Sequence, residues 1–239
     1  MDATPVPGNG TPVGRRVFLG LAAFGVSGIL WGDKAAGFME RLLAPVSAKD
    51  GSGLLGLLPI GRFRIYSVIG TLPSEPTDKW RLTVDGLAGT PYTIGWDDLL
   101  AMPPVELTKD FQCVTGWRVP QVKWKGVRLA DILAKAAPQA AATAVEIESF
   151  DGAYTESLTL DQARRADVIV AYELDGKPIS SAHGGPVRLY VAPMYGYKSL
   201  KWLQRITLVA RPERGYWERQ GYDVDAWIGK SNGRSDQPV

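Results

Sequence analysis

The sequence predicts a mixed α+β domain that is rich in strands and has only short peripheral helices. Apolar and polar residues alternate with a period of two over several short stretches, as in half-buried strands. Helical periodicity is confined to a few short segments. Because strands do not alternate regularly with long helices, the pattern argues against a parallel sheet built from βαβ units.

Four stretches show the strand pattern. Residues 80–84 form the first, and the Asp85-Gly86 pair that follows is typical of a tight turn. Residues 145–148 alternate with a period of two, and residues 187–192 and 206–209 are apolar runs of strand length.

Three segments are predicted to be helices. Leu129, Ile132, Leu133 and Ala136 are spaced i, i+3, i+4 and i+7, which predicts a helix that ends before Pro138. Residues 96–102 and 161–166 are the other two candidates. Short helices scattered irregularly among strands favour an α+β or mainly β domain.

The N-terminal region predicts an export or membrane segment. Residues 1–14 are rich in Pro, Gly and Thr and are interpreted as a disordered lead. In residues 15–34, a pair of arginines precedes an apolar run that is shorter than the ~20 residues of a comfortable membrane span. The pair resembles a twin-arginine signal, which exports folded proteins. A Sec-type signal or an uncleaved membrane anchor is the alternative.

The remaining boundaries follow from composition. Residues 35–61 contain several Gly and Pro and are interpreted as a linker, residues 62–230 as the catalytic domain, and residues 231–239 as a polar tail. We therefore expect an exported protein, located in the periplasm or at the outer face of the membrane, with membrane contact through its N-terminal segment.

Composition limits the chemistry that the chain can perform. Its 239 residues are 45% hydrophobic, enough for a sizeable core, and a net charge of +2 gives no basis for nucleic-acid binding. One cysteine and one histidine exclude an intramolecular disulfide, a Cys-rich zinc site and a multi-histidine metal centre. The single thiol is the most conspicuous soft metal ligand.

Cys113 lies at the end of a strand-like stretch, beside a Gly-Trp turn. A lone cysteine is more often a buried apolar side chain than a ligand. Here Gly116 permits close backbone approach, Trp117 supplies an aromatic wall, and Arg118 supplies a cation that favours the thiolate. These surroundings suit a metal-bound sulfur.

Two further motifs favour an anion site. His183-Gly184-Gly185 forms a turn that frees backbone N–H groups, and Arg188 offers a planar fork for phosphate oxygens. A hairpin turn with a surface histidine and arginine is the alternative. Lys198 and Lys201 flank a serine among aromatic residues and would share the face of a helical turn. The alternative for them is a solvated cationic turn.

Together these motifs resemble those of the sulfite oxidase family, and particularly its bacterial periplasmic members such as methionine sulfoxide reductases. The resemblance rests on residues 113–117 with 124–127, on 183–188 and on 195–202, in that order. Residues 215–218 and 221–222 are similar to the C-terminal signature of the family. The resemblance extends from about Phe63 to Trp227 and implies the sulfite-oxidase molybdopterin-binding fold.

The resemblance also implies the cofactor and its contacts. Molybdenum would be held by molybdopterin and by Cys113 as the protein ligand. The residues implied for the pterin and its phosphate are Ser149, His183, Arg188, Tyr197, Lys198, Ser199, Leu200 and Lys201, with Tyr66 and Ser67 in an upstream loop. That loop departs from the Asn-rich version of bacterial methionine sulfoxide reductases. Tyr195 and Arg118 are candidate catalytic residues that would hold a substrate oxygen.

The implied activity is oxo transfer to or from a small sulfur-containing, S-oxide or N-oxide substrate. Electrons would pass through a separate partner, either a haem-containing membrane protein or a cytochrome. Two other hypotheses are a membrane-tethered scaffold domain that keeps the fold without the cofactor, and a soluble electron-transfer protein. We also expect Arg188→Ala to lower cofactor occupancy more than stability, because phosphate rather than protein is its expected partner.

Overall fold

The computed structural model describes residues 63–230. These residues lie in one of the two units into which the chain divides, Leu58–Val239. The expected lead, signal or anchor, linker and polar tail lie outside the described residues. Within the described part, no helix has both the length and the apolar character needed to cross a membrane.

Ten strands and three short α-helices make up the described fold. The strands are β1 (Leu82–Gly86), β2 (Tyr92–Ile94), β3 (Val105–Gln112), β4 (Arg118–Arg128), β5 (Ala144–Ser149), β6 (Thr155–Thr159), β7 (Val168–Leu174), β8 (Lys177–Pro178), β9 (Arg188–Val191) and β10 (Leu203–Val209). The helices are α1 (Trp96–Ala101), α2 (Leu129–Lys135) and α3 (Leu160–Ala163). The prediction of a strand-rich α+β fold is confirmed.

The strands form two sheets. The first has the order β2-β1-β10-β5-β6, in which only the β1–β10 pair is parallel. The second has the order β3-β4-β7-β8, and β9 also pairs with β7. Gly126 lies where β4 meets β7, and a Cβ there would stand 2.2 Å from the carbonyl oxygen of Val170. This pairing therefore requires a glycine.

The second sheet has apolar side chains on both faces. Along β7, Val168 and Val170 belong to a large aliphatic core, while Ile169 and Ala171 belong to a second core. The large core also contains residues of β1, β5 and β10 from the first sheet, so it lies between the sheets. The second core is mainly aromatic, with Phe111, Trp117, Trp124 and Tyr190 as its largest members. This aromatic side borders the cavity described below.

Most predicted elements are confirmed within a few residues. The predicted helix at 129–136 is α2, and α3 begins at Leu160 because the Thr159 hydroxyl accepts a hydrogen bond from the Gln162 N–H at 3.2 Å. Beside Cys113, however, the structure contains a long hairpin, β3–β4, of which only a strand-like stretch was predicted. In β3 the apolar alternation of Val105, Leu107 and Phe111 is interrupted by Lys109, where the register of the hairpin also shifts.

Candidate functional site

A cavity of about 440 Å³ opens beside the aromatic core. Its walls come from five separated parts of the chain: residues 63–68, the β3–β4 turn, the turn at 151–154, residues 183–202 and the segment after β10. Aromatic rings dominate the lining, and they include Phe111, Trp117 and Tyr154. The volume and the apolar walls with few polar groups suit a small-molecule or cofactor site.

Cys113 lies on the wall formed by the β3–β4 turn and is half-buried. Its backbone N–H donates to the Trp117 carbonyl at 2.9 Å, and the Gly116 N–H donates to the Cys113 carbonyl at 3.1 Å. Gly116 has φ +93°, a conformation that favours glycine. The turn thus fixes the thiol at the cavity wall, as a metal ligand requires.

The His183-Gly184-Gly185 turn forms another part of the site. A short 3-10 helix, Ser181–His183, ends at Gly184, which has φ +95°. A Cβ at Gly184 would lie 2.6 Å from the side chain of Lys201, and one at Gly185 would lie 1.8 Å from the Ile179 carbonyl oxygen. These glycines are therefore required for packing, and they bring Lys201 against the turn that contains His183.

Arg188 enters the cavity from β9 and is 2% exposed. Its guanidinium donates to the carbonyl oxygens of His183 at 2.7 Å, Ser199 at 2.6 Å and Leu189 at 3.3 Å. Burial lowers the pKa of Arg188 to about 10. Arg188 therefore has protein partners, which corrects the expectation that phosphate alone would engage it. Arg188→Ala would therefore also reduce stability.

Lys201 lies next to this guanidinium. Its ammonium donates to the carbonyl oxygens of Tyr66 at 3.0 Å and Ala182 at 2.9 Å. Burial, and then the charge of Arg188, lower the pKa of Lys201 to about 8. Burial also lowers the pKa of His183, and the charges of Arg188 and Lys201 lower it further.

The three basic groups have no carboxylate partner in the described structure. No acidic side chain of residues 63–230 comes within 4.0 Å of the charged atoms of His183, Arg188 or Lys201. Buried cations normally have an anionic partner, because desolvation of an unpaired charge is costly. The cluster is therefore suited to an anionic ligand such as a phosphate group.

Residues 63–73 cross the cavity without regular secondary structure, and we call them the strap. The ring of Phe63 lies 4.9 Å from the His183 ring, and Tyr66 stacks on Trp117 at 6.4 Å. At the C-terminal end of the strap, the Ser181 hydroxyl donates a hydrogen bond to the Pro73 carbonyl at 2.6 Å. The strap thus places Tyr66 and Ser67 at the cavity, where both were expected.

Several polar atoms on the cavity wall have no protein partner within the described range. They are the Ser67 hydroxyl, the Trp117 indole N–H and the Asp151 Oδ2 atom. The other carboxylate oxygen of Asp151 accepts from the N–H groups of Ala153 at 2.9 Å and Tyr154 at 2.8 Å. Because buried polar atoms are normally hydrogen-bonded, these atoms indicate a ligand with its own donors and acceptors. A pterin has both, so the cavity fits a molybdopterin.

Most predicted site residues meet at this cavity. Those that line it are Cys113, His183, Arg188, Tyr197, Ser199, Lys201, Tyr66 and Ser67. Five others lie outside the lining, and three of these have simple locations. Arg118 forms an ion pair with Asp110, Leu200 is fully buried in the aliphatic core, and Tyr195 packs against that core.

Ser149 and Lys198 lie behind the cavity wall. The buried Ser149 hydroxyl accepts from the Asp151 N–H at 3.1 Å, so it shapes the turn that brings Asp151 to the cavity. Lys198 is 1% exposed, and its ammonium donates to Glu156, to Glu218 at 2.6 Å and to the Ser157 carbonyl at 2.9 Å. All three N–H donors of Lys198 are therefore engaged by protein groups.

Asp151, Tyr154 and Thr115 are among the cavity residues that were not predicted as site residues from the sequence. Asp151 and Tyr154 line the cavity, and the Tyr154 hydroxyl donates to the Tyr197 carbonyl at 2.7 Å. Thr115 also lines it, and its hydroxyl donates to the Cys113 sulfur at 3.2 Å. The position of Thr115 two residues after the cysteine was the available sequence signal. Asp151-Gly152 is typical of a turn, but long-range contacts such as the Phe150 N–H bond to the Trp202 carbonyl at 2.8 Å decide that this turn lies at the cavity.

Sequence comparison identifies related oxidoreductases. The family described as "Oxidoreductase molybdopterin binding domain" matches residues 69–217. The uncharacterized oxidoreductase YuiH of Bacillus subtilis is 36% identical over 155 residues, which cover 64% of this chain and 78% of that protein. Human mitochondrial sulfite oxidase is 32% identical over 179 residues, 63% of this chain and 33% of that protein.

A further relative and a solved structure extend the comparison. The protein-methionine-sulfoxide reductase catalytic subunit MsrP of Ralstonia nicotianae is 29% identical over 184 residues, 71% of this chain and 54% of that protein. The chain thus spans about a third of sulfite oxidase and about half of MsrP. The sulfane dehydrogenase SoxCD of Paracoccus pantotrophus superposes with a TM-score of 0.55 at 21% identity, over 59% of this chain and 41% of that one. This match shows a shared fold.

Proposed function

Because the chain belongs to the oxidoreductase molybdopterin binding domain family, we propose that it transfers an oxo group to or from a small sulfur-containing, S-oxide or N-oxide substrate. The main support is the cavity itself, in which a half-buried thiol and three basic groups without carboxylate partners line the same space. A thiolate ligand and a phosphate site are the two attachments that such a cofactor needs.

Different residues of the cavity would bind the metal, the phosphate and the pterin ring of the cofactor. Cys113 would ligate molybdenum, while Arg188 and Lys201 would neutralise the phosphate, with His183, Ser199 and Tyr197 beside them. Asp151 and Ser67 would pair with polar atoms of the pterin. When bound, the cofactor supplies the oxo-transfer and redox chemistry. The aromatic lining and the strap would exclude water and orient the substrate.

The side chains that line the cavity indicate which groups would contact the substrate. Arg118 is paired with Asp110 and lies outside the cavity lining, and Tyr195 also lies outside it. Neither residue therefore lines the cavity, and its aromatic walls would be the main substrate contacts. Apolar walls favour a neutral sulfur compound or S-oxide over a small dianion.

We also propose an electron-transfer partner and a cellular location for this domain. A separate electron carrier, either a haem-containing membrane protein or a cytochrome, would exchange electrons with the site. The arginine pair and apolar run in residues 15–34 support export through a twin-arginine route to the periplasm or the outer membrane face.

Elemental analysis for molybdenum tests the proposal. The wild-type chain and Cys113→Ser are purified from a host that makes the cofactor, and about one metal atom per wild-type chain is expected. The variant should lose turnover and change the spectroscopic signature of the metal, because a hard hydroxyl replaces a soft thiolate. Well-folded wild-type protein without molybdenum would contradict the proposal and favour the scaffold hypothesis.

A further inference from the structure

The turn at residues 113–117 is held by its backbone. The Cys113 N–H bonds to the Trp117 carbonyl, the Gly116 N–H bonds to the Cys113 carbonyl, and Gln112 pairs with Arg118 at the adjoining end of the hairpin. None of these backbone hydrogen bonds involves Thr115. The conformation of the turn is therefore set without the Thr115 side chain.

The Thr115 side chain nevertheless points at the thiol. Its hydroxyl donates to the Cys113 sulfur at 3.2 Å, a normal length for a hydrogen bond to sulfur. Thr115 is exposed, belongs to neither apolar core and borders the same cavity as the thiol. Packing therefore does not explain this side chain, whereas contact with the sulfur does.

The strength of this hydrogen bond depends on the charge of the sulfur. A neutral thiol is a weak acceptor, whereas a metal-bound thiolate carries negative charge and accepts more strongly. A hydrogen bond to a ligating sulfur withdraws electron density from the metal and stabilises its reduced form. Such a bond would therefore raise the reduction potential of the bound metal.

We propose that Thr115 is a positioning residue that donates a hydrogen bond to the metal-ligating sulfur of Cys113 and raises the reduction potential of the centre. This role rests on the proposed function, because it requires a metal bound to Cys113. Thr115 acts only through the sulfur and is not a catalytic residue.

The test compares molybdenum content and reduction potential in four variants. Thr115→Val and Thr115→Ala remove the hydroxyl with different side-chain volumes, and Thr115→Ser keeps it. Thr108→Val makes the same chemical change at an exposed position of β3 that does not line the cavity. Each protein is loaded in a host that makes the cofactor, and a potentiometric series followed by the EPR signal of the metal gives its reduction potential.

We expect full molybdenum content in all variants and a lower potential in both Thr115→Val and Thr115→Ala. The expected change is about tenfold in the one-electron equilibrium constant, or about 59 mV. Thr115→Ser and Thr108→Val should keep the wild-type potential and EPR signature.

Three results would overturn the proposal, and they are distinguishable. Loaded Thr115→Val and Thr115→Ala proteins with the wild-type potential would refute the role of Thr115 alone. A shift in only one of these two would also refute it, because side-chain shape rather than the hydroxyl would then be responsible. Absence of molybdenum from well-folded wild-type protein would refute the proposed function and this role with it.

Discussion

At the scale of single residues, the basic cluster is the most informative feature of the site. Arg188 is anchored by three carbonyl oxygens, so its position is fixed before any ligand arrives. Lys201 is anchored by two carbonyl oxygens and retains one N–H donor for a ligand. Such a preorganised pair reduces the entropy lost on binding.

The pH dependence of anion binding tests this cluster. Because burial and Arg188 lower the pKa of Lys201 to about 8, Lys201 loses its charge above that pH in the unliganded protein. Sulfate keeps its own charge in this range, so we expect its affinity to fall above about pH 8, by up to tenfold per pH unit. Calorimetry with cofactor-free protein measures this.

Lys201→Arg provides the control for the sulfate experiment. An arginine stays protonated across this range, so the affinity of the variant should vary little between pH 8 and 9. An equally steep decline in the variant would show that another group controls binding. His183 is an unsuitable source of the decline, because its lowered pKa leaves it neutral throughout this range.

At the scale of elements, a buried ion cluster joins three segments behind the cavity. Lys198 lies in the 3-10 helix Gly196–Lys198, Glu156 in β6, and Glu218 in the 3-10 helix Glu218–Gln220. Burial raises the pKa of Glu156 to about 8, while the charge of Lys198 opposes this. Lys198 is thus the shared cationic partner of two buried carboxylates that come from separate segments.

Replacing the central lysine tests this assembly. We expect Lys198→Met to lower the free energy of unfolding by roughly 3–5 kcal/mol at pH 8, because two buried carboxylates lose their partner. The loss should be smaller at pH 5.5, because the variant can offset the missing cation by binding a proton on Glu156, whose pKa burial raises. Urea unfolding at both pH values measures the difference.

The matched control is Lys177→Met, since Lys177 is exposed on β8. Its effect should stay within about 0.5 kcal/mol. If Lys198→Met were equally mild, the buried ion cluster would not be what joins the three segments. A selective loss of molybdenum without loss of stability would instead indicate that Lys198 acts directly on the cofactor.

At the scale of the whole molecule, the site lies where distant parts of the chain meet. The aliphatic core joins the two sheets, and the cavity borders the aromatic core on the other face of the second sheet. Ligands that bridge the strap, the β3–β4 turn and residues 183–202 would therefore stabilise the whole assembly. The folded state without a ligand also keeps two desolvated cations.

Removal of the cofactor tests this coupling. Binding to the folded state alone stabilises by about 4 kcal/mol when ligand is at 1,000 times its dissociation constant. For a domain of this size, that corresponds to a thermal midpoint about 8–16 °C higher in loaded than in cofactor-free protein. Calorimetry on protein from cofactor-proficient and cofactor-deficient hosts measures it, and equal midpoints would contradict the proposed site.

Local sequence patterns were sufficient for much of the fold and for the family. Period-two alternation located β5, an apolar run located β10, and the i, i+3, i+4, i+7 spacing located α2, because these patterns reflect which side chains one local element buries. The resemblance to the sulfite oxidase family, based on short motifs, is confirmed by the family match and by the relatives. The lone cysteine was singled out by composition and by its neighbours.

Only the tertiary structure decided which motif residues share the cavity. Lys198 and Lys201 are three residues apart, yet one is enclosed by Glu156 and Glu218 while the other faces the site. The carboxylates that form ion pairs with Lys198 lie 42 and 20 residues away in the sequence, so no local pattern could reveal them. The sequence by itself determined the elements and the family, because these depend on local spacing. Charge pairing depends on long-range packing and was decided by the fold.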